Sequence, residues 1–490
     1  MRTVRHDDVL DQLAAAACRG LPGPDGGVRP LLEKLFGSRY NRRHFTPTAI
    51  RDAYALASAS GDEVIPFAGL VHPDNPAIGL HGGTSVVWFP TADHGSLIAF
   101  AAGGKGVAPD EAILGRPGHR RRVASLRRYL ARRGIEAWTK PDPTALGVAV
   151  PKVVERRFPG FERIFQRVGG VMYCCARLPR DPESARFVLQ AFFDLYAFER
   201  GYQPVKAWEP EQASLLAALR GDLFPRVTAS EVDSLLRKRR FVILEGPPGT
   251  GKSRLAEELR RAHFGGRGMT VQLHPSFTYE DFVVGSDGAT GAQRGVLLKA
   301  IEAAARGPFL LHLDEIGRAD LSQVLGEAIY LFEPAEVGGP HARRVRLPRP
   351  VDGREEIALP ETLYVLATMS SAHRGPTRPD LAIRRRFAFV TLPPDRGVVT
   401  ENAPPLAARV FDMIADAFVE HAPDGVLDLM PGHAYFLARS EAELLERIRF
   451  ELIPLLDEYL GQGVLGPSSH ELAAVRNELD DIVEAHGFSA

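Results

Sequence analysis

Gly246, Gly251, Lys252 and Ser253 fit the spacing G-x-x-x-x-G-K-S within LEGPPGTGKSR, Leu244 to Arg254. Glycines at these points let the backbone curl so that successive N–H groups converge on phosphate oxygens, and a following helix offers its positive end. Gly246, Pro247, Pro248, Gly249, Thr250, Gly251, Lys252, Ser253 and Arg254 are therefore the candidate nucleotide-binding residues. Lys252 is expected at the β and γ phosphates, and the Ser253 hydroxyl at Mg²⁺. A triphosphate site also needs an acid at the tip of a second buried strand. The apolar run Phe309 to Leu313 ends in Asp314 and Glu315. Asp314 is read as the metal-holding acid and Glu315 as the catalytic carboxylate that polarises the attacking water. Two acids after a strand can also be mere capping of the next helix, but a phosphate loop upstream favours the chemical reading.

These groups need elements to hold them. The apolar stretch RFVILEG leads into the loop and SRLAEELRRAH leaves it with helical periodicity. Strand and helix signals alternate from there to about Pro393, which predicts a parallel sheet with covering helices. Beyond LPPDRGVVTENAPP the chain reads as almost wholly helical. The expected fold is α/β with a helical lid, preceded by a separate α+β domain. Its expected boundaries are an N-terminal helix and linker over 1–30, an N-terminal domain over 31–210, a nucleotide-binding domain over 211–393 and the lid over 394–490. Within the N-terminal part, TSVVWFP and SLIAFAAG flank TADHG as a hairpin, and RFVLQAFFDLYAFERG is an apolar-rich helix.

With GPPGTGKS, DE, LHPSFTYEDFVVG, LDEIGRADLSQVLGEAIYLFEP and PGHAYFL…IRFELIPLLDEYL in order, about Arg237 to Leu465 resembles the McrB-like clade of AAA+ proteins. That clade supplies the motors of McrBC-type modification-dependent restriction systems. The resemblance implies a ring of copies, usually hexameric, with nucleotide at the subunit boundary, and a partner nuclease of the McrC type. It also implies an arginine finger within DLAIRRRFAF, placing Arg384, Arg385 and Arg386 as catalytic candidates, with Arg318 a further interface candidate. A solvated helix end is the plain alternative for an arginine run. At the tip of the next strand, in VLATMSSAHRG, the chain departs from the clade. Ser370 stands where a carboxamide usually orients the attacking water, and His373 where an acid is usual. The resemblance leaves the base open between ATP and GTP, with ATP expected.

The N-terminal part carries ILGRPGHRRRVASLRRYLARRG, with no acid between Glu111 and Glu136. On a helix, Val123, Leu126 and Leu130 share one face, and Arg121, Arg128 and Arg132 gather opposite. Such a stripe suits the phosphate backbone of DNA, or an ordinary solvated face. The insertion EVGGPHARRVRLPRPVDGREEIALP reads as a β-hairpin with strands near Arg344 to Leu347 and Glu356 to Leu359. There Arg343, Arg344, Arg346 and Arg349 suit nucleic acid or a partner, or an ordinary solvated hairpin. Asp93, His94, Asp110 and His119 lack metal-ligand spacing. A net charge of −1 over 490 residues gives no overall pull toward nucleic acid, and no apolar run approaches a membrane span. Charges at Arg5, Asp7, Asp8 and Asp11 interrupt any signal-peptide core, and Cys18, Cys174 and Cys175 fit small buried residues in a reducing cytoplasm. The expected activity is a nucleoside triphosphatase motor acting with a nuclease in DNA restriction and antiviral defence. The alternatives are a MoxR-type chaperone-like ATPase and a nucleotide-gated assembly scaffold with slow turnover.

Overall fold

A computed structural model describes residues 8–18, 28–45, 49–53, 65–71, 84–91, 93–102, 117–142, 150–200, 202–287, 291–372 and 381–486. The chain divides into two compact units, Met1–Leu223 with Val419–His421, and Phe224–Phe418 with Ala422–Ala490.

The first unit is built on a six-stranded sheet. Its strands are β1 Ala49–Ala53, β2 Phe67–Val71, β3 Thr84–Thr91, β4 Gly95–Ala102, β5 Ala137–Thr139 and β6 Met172–Leu178, in the order β1-β2-β3-β4-β6-β5. Every neighbouring pair is antiparallel. The hairpin expected around TADHG is β3–β4. Alternation along these strands sends side chains into two separate cores. Val86, Trp88, Ile98, Phe100 and Cys174 face one core, which is shared with the helices Asp8–Cys18 and Pro182–Glu199. Val87, Phe89, Leu97, Ala99 and Cys175 face the other, with Phe158, Phe161 and Phe165. Burial on both faces explains why the strands read as unbroken apolar runs. Adjacent Cys174 and Cys175 thus point to opposite cores, and the described cysteines are unbridged.

Two features of this unit differ from the sequence expectation. The helix Glu209–Leu223 packs within the first unit rather than opening the second, so the contact boundary lies at Leu223/Phe224. Arg121 does not join an outer basic stripe: it is buried, while Arg120, Arg127, Arg128 and Arg132 are exposed. Arg121 shares a face with Ser125, one turn on, whose hydroxyl donates to the Leu219 carbonyl at 3.0 Å. A helix wheel drawn for one helix cannot register segments that cover it from elsewhere in the chain.

The second unit has a five-stranded sheet of β7 Phe241–Gly246, β8 Gly268–Gln272, β11 Phe309–Asp314, β14 Leu363–Ser370 and β15 Ala388–Thr391. The order is β15-β7-β14-β11-β8, and all pairs are parallel. Phe241, Ile243, Leu311, Leu313 and Val365 fill one face, and Val242, Leu244, Leu310 and Leu366 the other. Each such buried side chain contributes about 1.5–3 kcal/mol relative to exposure. The first strand in sequence, β7, lies inside the sheet, flanked by the last two. Ligands of open α/β sheets bind outside the carboxyl ends of such strands. Two hairpins are appended, β9 Val284–Asp287 with β10 Gly291–Arg294, and β12 Val345–Val351 with β13 Arg354–Ile357. The remainder to Ala485 is helical around a core containing Phe411, Phe436, Ile448 and Leu452. Among the described residues no helix is long and apolar enough to cross a membrane.

Candidate functional site

Parallel register brings the sequence candidates to one end of the sheet. Ser370 pairs with Gly246 across β14 and β7, Leu313 with Ala367 across β11 and β14, and Asp314 with Gln272 across β11 and β8. The loop tip, the two acids and the serine therefore converge because each ends a neighbouring strand.

After Gly246 the loop turns through Gly249 (φ 79°) and Gly251 (φ 77°) into the helix Lys252–His263. Left-handed φ at these points requires glycine. A Cβ at Gly249 would also sit 3.1 Å from the ring carbons of Tyr435. The loop is held from the helical part by backbone bonds, Gly432 N–H to Pro248 O at 2.9 Å and Ala434 N–H to Gly249 O at 3.0 Å. Within the loop, the Thr250 hydroxyl donates to Pro247 O at 2.9 Å. The Lys252 ammonium donates to Gly246 O at 2.9 Å and Pro247 O at 2.8 Å. Burial lowers its pKa to about 8, against the pull of Glu315 and Asp314. A partly desolvated ammonium on a glycine loop at the start of a helix is a setting that suits an anion.

Next to it, Ser253 Oγ donates to Asp314 Oδ1 at 2.8 Å. Both atoms are hard oxygen donors suited to Mg²⁺, which takes few protein ligands and keeps waters and phosphate oxygens. Among the described residues no group of three or more His, Cys, Asp or Glu gathers at one point, so a cation here would lean on the triphosphate. Behind Asp314 lie Thr368, whose hydroxyl donates to Asp314 Oδ1 at 2.5 Å, and His312, with Nε2 3.6 Å from the same oxygen. Burial lowers the His312 pKa, and its Nδ1 stands 3.2 Å from Thr270 Oγ1.

Glu315 has a left-handed backbone (φ 54°, ψ 48°) and its carboxylate pairs with Arg318 of the same chain. Ser370 Oγ is buried at the strand tip, as is Ser371 Oγ, and neither has a hydrogen-bond partner among the described residues. His373 and Asp380 lie outside the described residues. The three arginines on the helix Leu381–Arg386 differ in surroundings. Arg385 donates to Glu333 at 3.2 Å, Arg386 to Ala382 O at 3.0 Å, and exposed Arg384 lies over the Phe389 ring at 4.9 Å. Arg343 is drawn to Glu336 (2.7 and 3.0 Å) at the root of the β12–β13 hairpin, while Arg344, Arg346 and Arg349 stay exposed on it.

Beside the loop is a cavity of about 370 Å³, lined by Val227, Leu255, Leu392, Pro393 and Val398 and by Arg226, Arg254, Asp395, Glu401, Asn402 and His433. A volume of this order suits a small organic ligand. Sequence reasoning reached Thr250, Gly251 and Arg254 but missed the rest of the wall, most of which comes from segments outside the motif. Thr368 was also missed. The signal available was its place on the apolar strand LYVLATMS, two residues before Ser370 and on the same face.

Residues 241–387 match the family model for the AAA domain of the dynein-related subfamily. The chain is 28% identical over 262 residues to the Type IV methyl-directed restriction enzyme EcoKMcrB subunit of Escherichia coli K12, covering 50% of this chain and 57% of that protein. It is 27% identical over 199 residues to the uncharacterized protein YehL of the same organism, covering 39% and 52%. The match thus spans little more than half the length of either relative. Superposition on NtrX from Brucella abortus gives a TM-score of 0.26 at 13% identity, over 63% of this chain and 76% of that one, too weak a likeness to carry an argument.

Proposed function

We propose that this chain, whose residues 241–387 form an AAA+ domain of the McrB-like kind, is a Mg²⁺-dependent nucleoside triphosphatase that works as a ring of copies. The observation that carries this is the convergence of a glycine loop, Lys252 and the Ser253–Asp314 pair, 2.8 Å apart, at neighbouring strand tips. Lys252 exchanges its loop carbonyls for the β and γ phosphates, and loop N–H groups take the remaining oxygens. Ser253 and Asp314 would hold the cation, which would supply neutralisation of the phosphate charge. Glu315 leaves Arg318 and accepts the proton of a water that attacks the γ phosphorus, and the bond to the β-phosphate oxygen breaks. An arginine of the adjacent copy meets the developing charge. Arg384 fits that part best, since its guanidinium lies on a ring rather than on a carboxylate.

The cavity beside Val227 and His433 takes the base, with ATP favoured over GTP. The work is coupled to an McrC-like nuclease, in a hexameric, cytoplasmic assembly acting on DNA in antiviral restriction. The first unit is the recognition domain, which contacts DNA through exposed Arg120, Arg127, Arg128 and Arg132. The proposed limits are 224–393 for the nucleotide-binding domain, moved from 211 by the contact boundary at Leu223/Phe224, and 394–490 for the lid.

A second reading, a nucleotide-gated scaffold with slow turnover, is favoured by one observation. Ser370 brings a short hydroxyl to a strand tip where a longer carboxamide is usual in the clade, and losing one oriented donor costs about 10²–10³ in rate. Phosphate release by wild type and Glu315→Gln separates the two. The motor reading expects the variant to bind Mg²⁺-ATP but to turn over at least about 10²-fold more slowly. Equal rates would leave the scaffold.

A further inference from the structure

Thr368 lies on β14, 1% exposed, in the middle of the sheet. A threonine is at home there because its β-branched side chain packs well on a pleated surface. Valine would pack equally well, so what threonine adds is a hydroxyl. A hydroxyl has one proton to give and lone pairs to receive. Both capacities are used here. The proton goes to Asp314 Oδ1 at 2.5 Å, and the oxygen accepts the Glu315 N–H at 3.1 Å.

These two bonds grip consecutive residues with different proposed tasks. Asp314 ends β11, and Glu315 turns at once into a left-handed backbone, which a residue with a Cβ rarely adopts. Such a conformation persists only where the surroundings over-determine it. On its far side Glu315 O accepts Arg318 N–H at 3.0 Å, so the turn is closed from both ends, and Thr368 supplies the end that touches the acid pair. Asp314 Oδ1 also accepts from Ser253. When Ser253 turns a lone pair to a cation, that contact changes character. The Thr368 bond comes from behind, from the sheet, and does not have to move.

We infer that Thr368 is a positioning residue that locks the Asp314 carboxylate and the Glu315 backbone into one unit. The acid that holds the cation and the acid that activates water then keep a fixed spacing through turnover. This rests on the triphosphatase reading and adds to it a determinant outside the nucleotide loop and the acids themselves.

The test uses the full chain with Mg²⁺-ATP as probe and the variants Thr368→Val and Thr368→Ser. Three quantities are read: kcat against KM, hydrogen exchange of the peptide spanning Leu313–Ile316 without nucleotide, and the thermal midpoint. Supporting groups behind a metal ligand typically matter about 10- to 100-fold. Thr368→Val is expected to lose that much in kcat, with KM within about threefold and faster exchange at Glu315. Thr368→Ser is expected to restore both, because it keeps the hydroxyl. Wild-type kcat and exchange in Thr368→Val would overturn the inference. So would a joint fall of kcat, KM and thermal midpoint that serine does not rescue, since that is a packing defect. If wild type releases phosphate no faster than Glu315→Gln, the triphosphatase reading fails, and the exchange comparison still decides whether Thr368 holds the turn.

Discussion

Arg384, Arg385 and Arg386 are consecutive, and their chemistry is set by what each already touches. Arg385 is committed to Glu333 and Arg386 is folded onto its own helix, whereas Arg384 has a ring beneath it and solvent around it. A guanidinium that must cross to a neighbouring copy is easiest to spare when it breaks no ion pair. Arg384→Ala is therefore expected to lower kcat by about 10³-fold or more in the assembled state, as arginine fingers do elsewhere, and Arg385→Ala by much less. Equal effects of the two substitutions on phosphate release would count against this choice. His433 gives a second residue-scale expectation. Its imidazole lies near Gly251, and Nδ1 accepts the Asp395 N–H at 3.3 Å, so the neutral ring is the one that fits. Burial lowers its pKa below the ordinary 6.5, with Arg254 pushing the same way and Asp395 opposing. A lowered folded pKa means that the contribution of His433 to stability is present above 6.5 and lost as pH falls through the folded value. NMR titration of this imidazole is expected to give a midpoint below 6.5, and a midpoint above it would refute the arrangement.

At the scale of elements, the loop depends on a close fit to the segment Gly432–Tyr435. Gly249→Ala adds a Cβ where φ is 79° and Tyr435 is 3.1 Å away, so it strains the loop twice. A loss of Mg²⁺-ATP affinity of at least about tenfold is expected by titration calorimetry, for a strain of about 1–3 kcal/mol. Unchanged affinity would mean that the loop adapts. The β12–β13 hairpin is anchored by Arg343, whose forked bonds to Glu336 are partly sheltered. Arg343→Ala is expected to lower the thermal midpoint, and an unchanged midpoint would count against this anchoring. The sequence made some of these elements readable and others not. The meeting of Gly246 to Ser253 with Asp314–Glu315 at neighbouring strand tips was legible because motifs of fixed spacing sit directly after apolar strands. The β3–β4 hairpin and the β12–β13 hairpin were legible from alternation and turn residues. Thr368 was hidden because a threonine in a strand looks like a packing residue until its two hydrogen bonds are seen. Arg121 was misjudged because it is buried by segments far along the chain, its guanidinium donating to the Val419 carbonyl at 2.6 Å, which no single-helix pattern registers. The cavity wall at Val227, Leu392 and His433 is assembled from segments distant in sequence, and no local pattern announces it.

For the whole molecule, a net charge of −1 leaves any attraction to DNA to local patches. The exposed arginines of the helix Pro117–Arg132 are one such patch. If they track a phosphate backbone, affinity for duplex DNA falls steeply with salt, and Arg127 and Arg128 substitutions flatten that slope. Stimulation of phosphate release by DNA supports the restriction reading, and stimulation only by a protein client supports the chaperone-like one. Each of these depends on a single claim, that Lys252, Ser253 and Asp314 together hold a magnesium triphosphate. The most direct measurement is calorimetric titration of Mg²⁺-ATP and Mg²⁺-GTP into wild type and Lys252→Ala. The account predicts saturable one-site binding in the wild type and at least about a hundredfold weaker binding without the ammonium, some 2.7 kcal/mol. Equal affinity in the two proteins, or no binding by either, would contradict it.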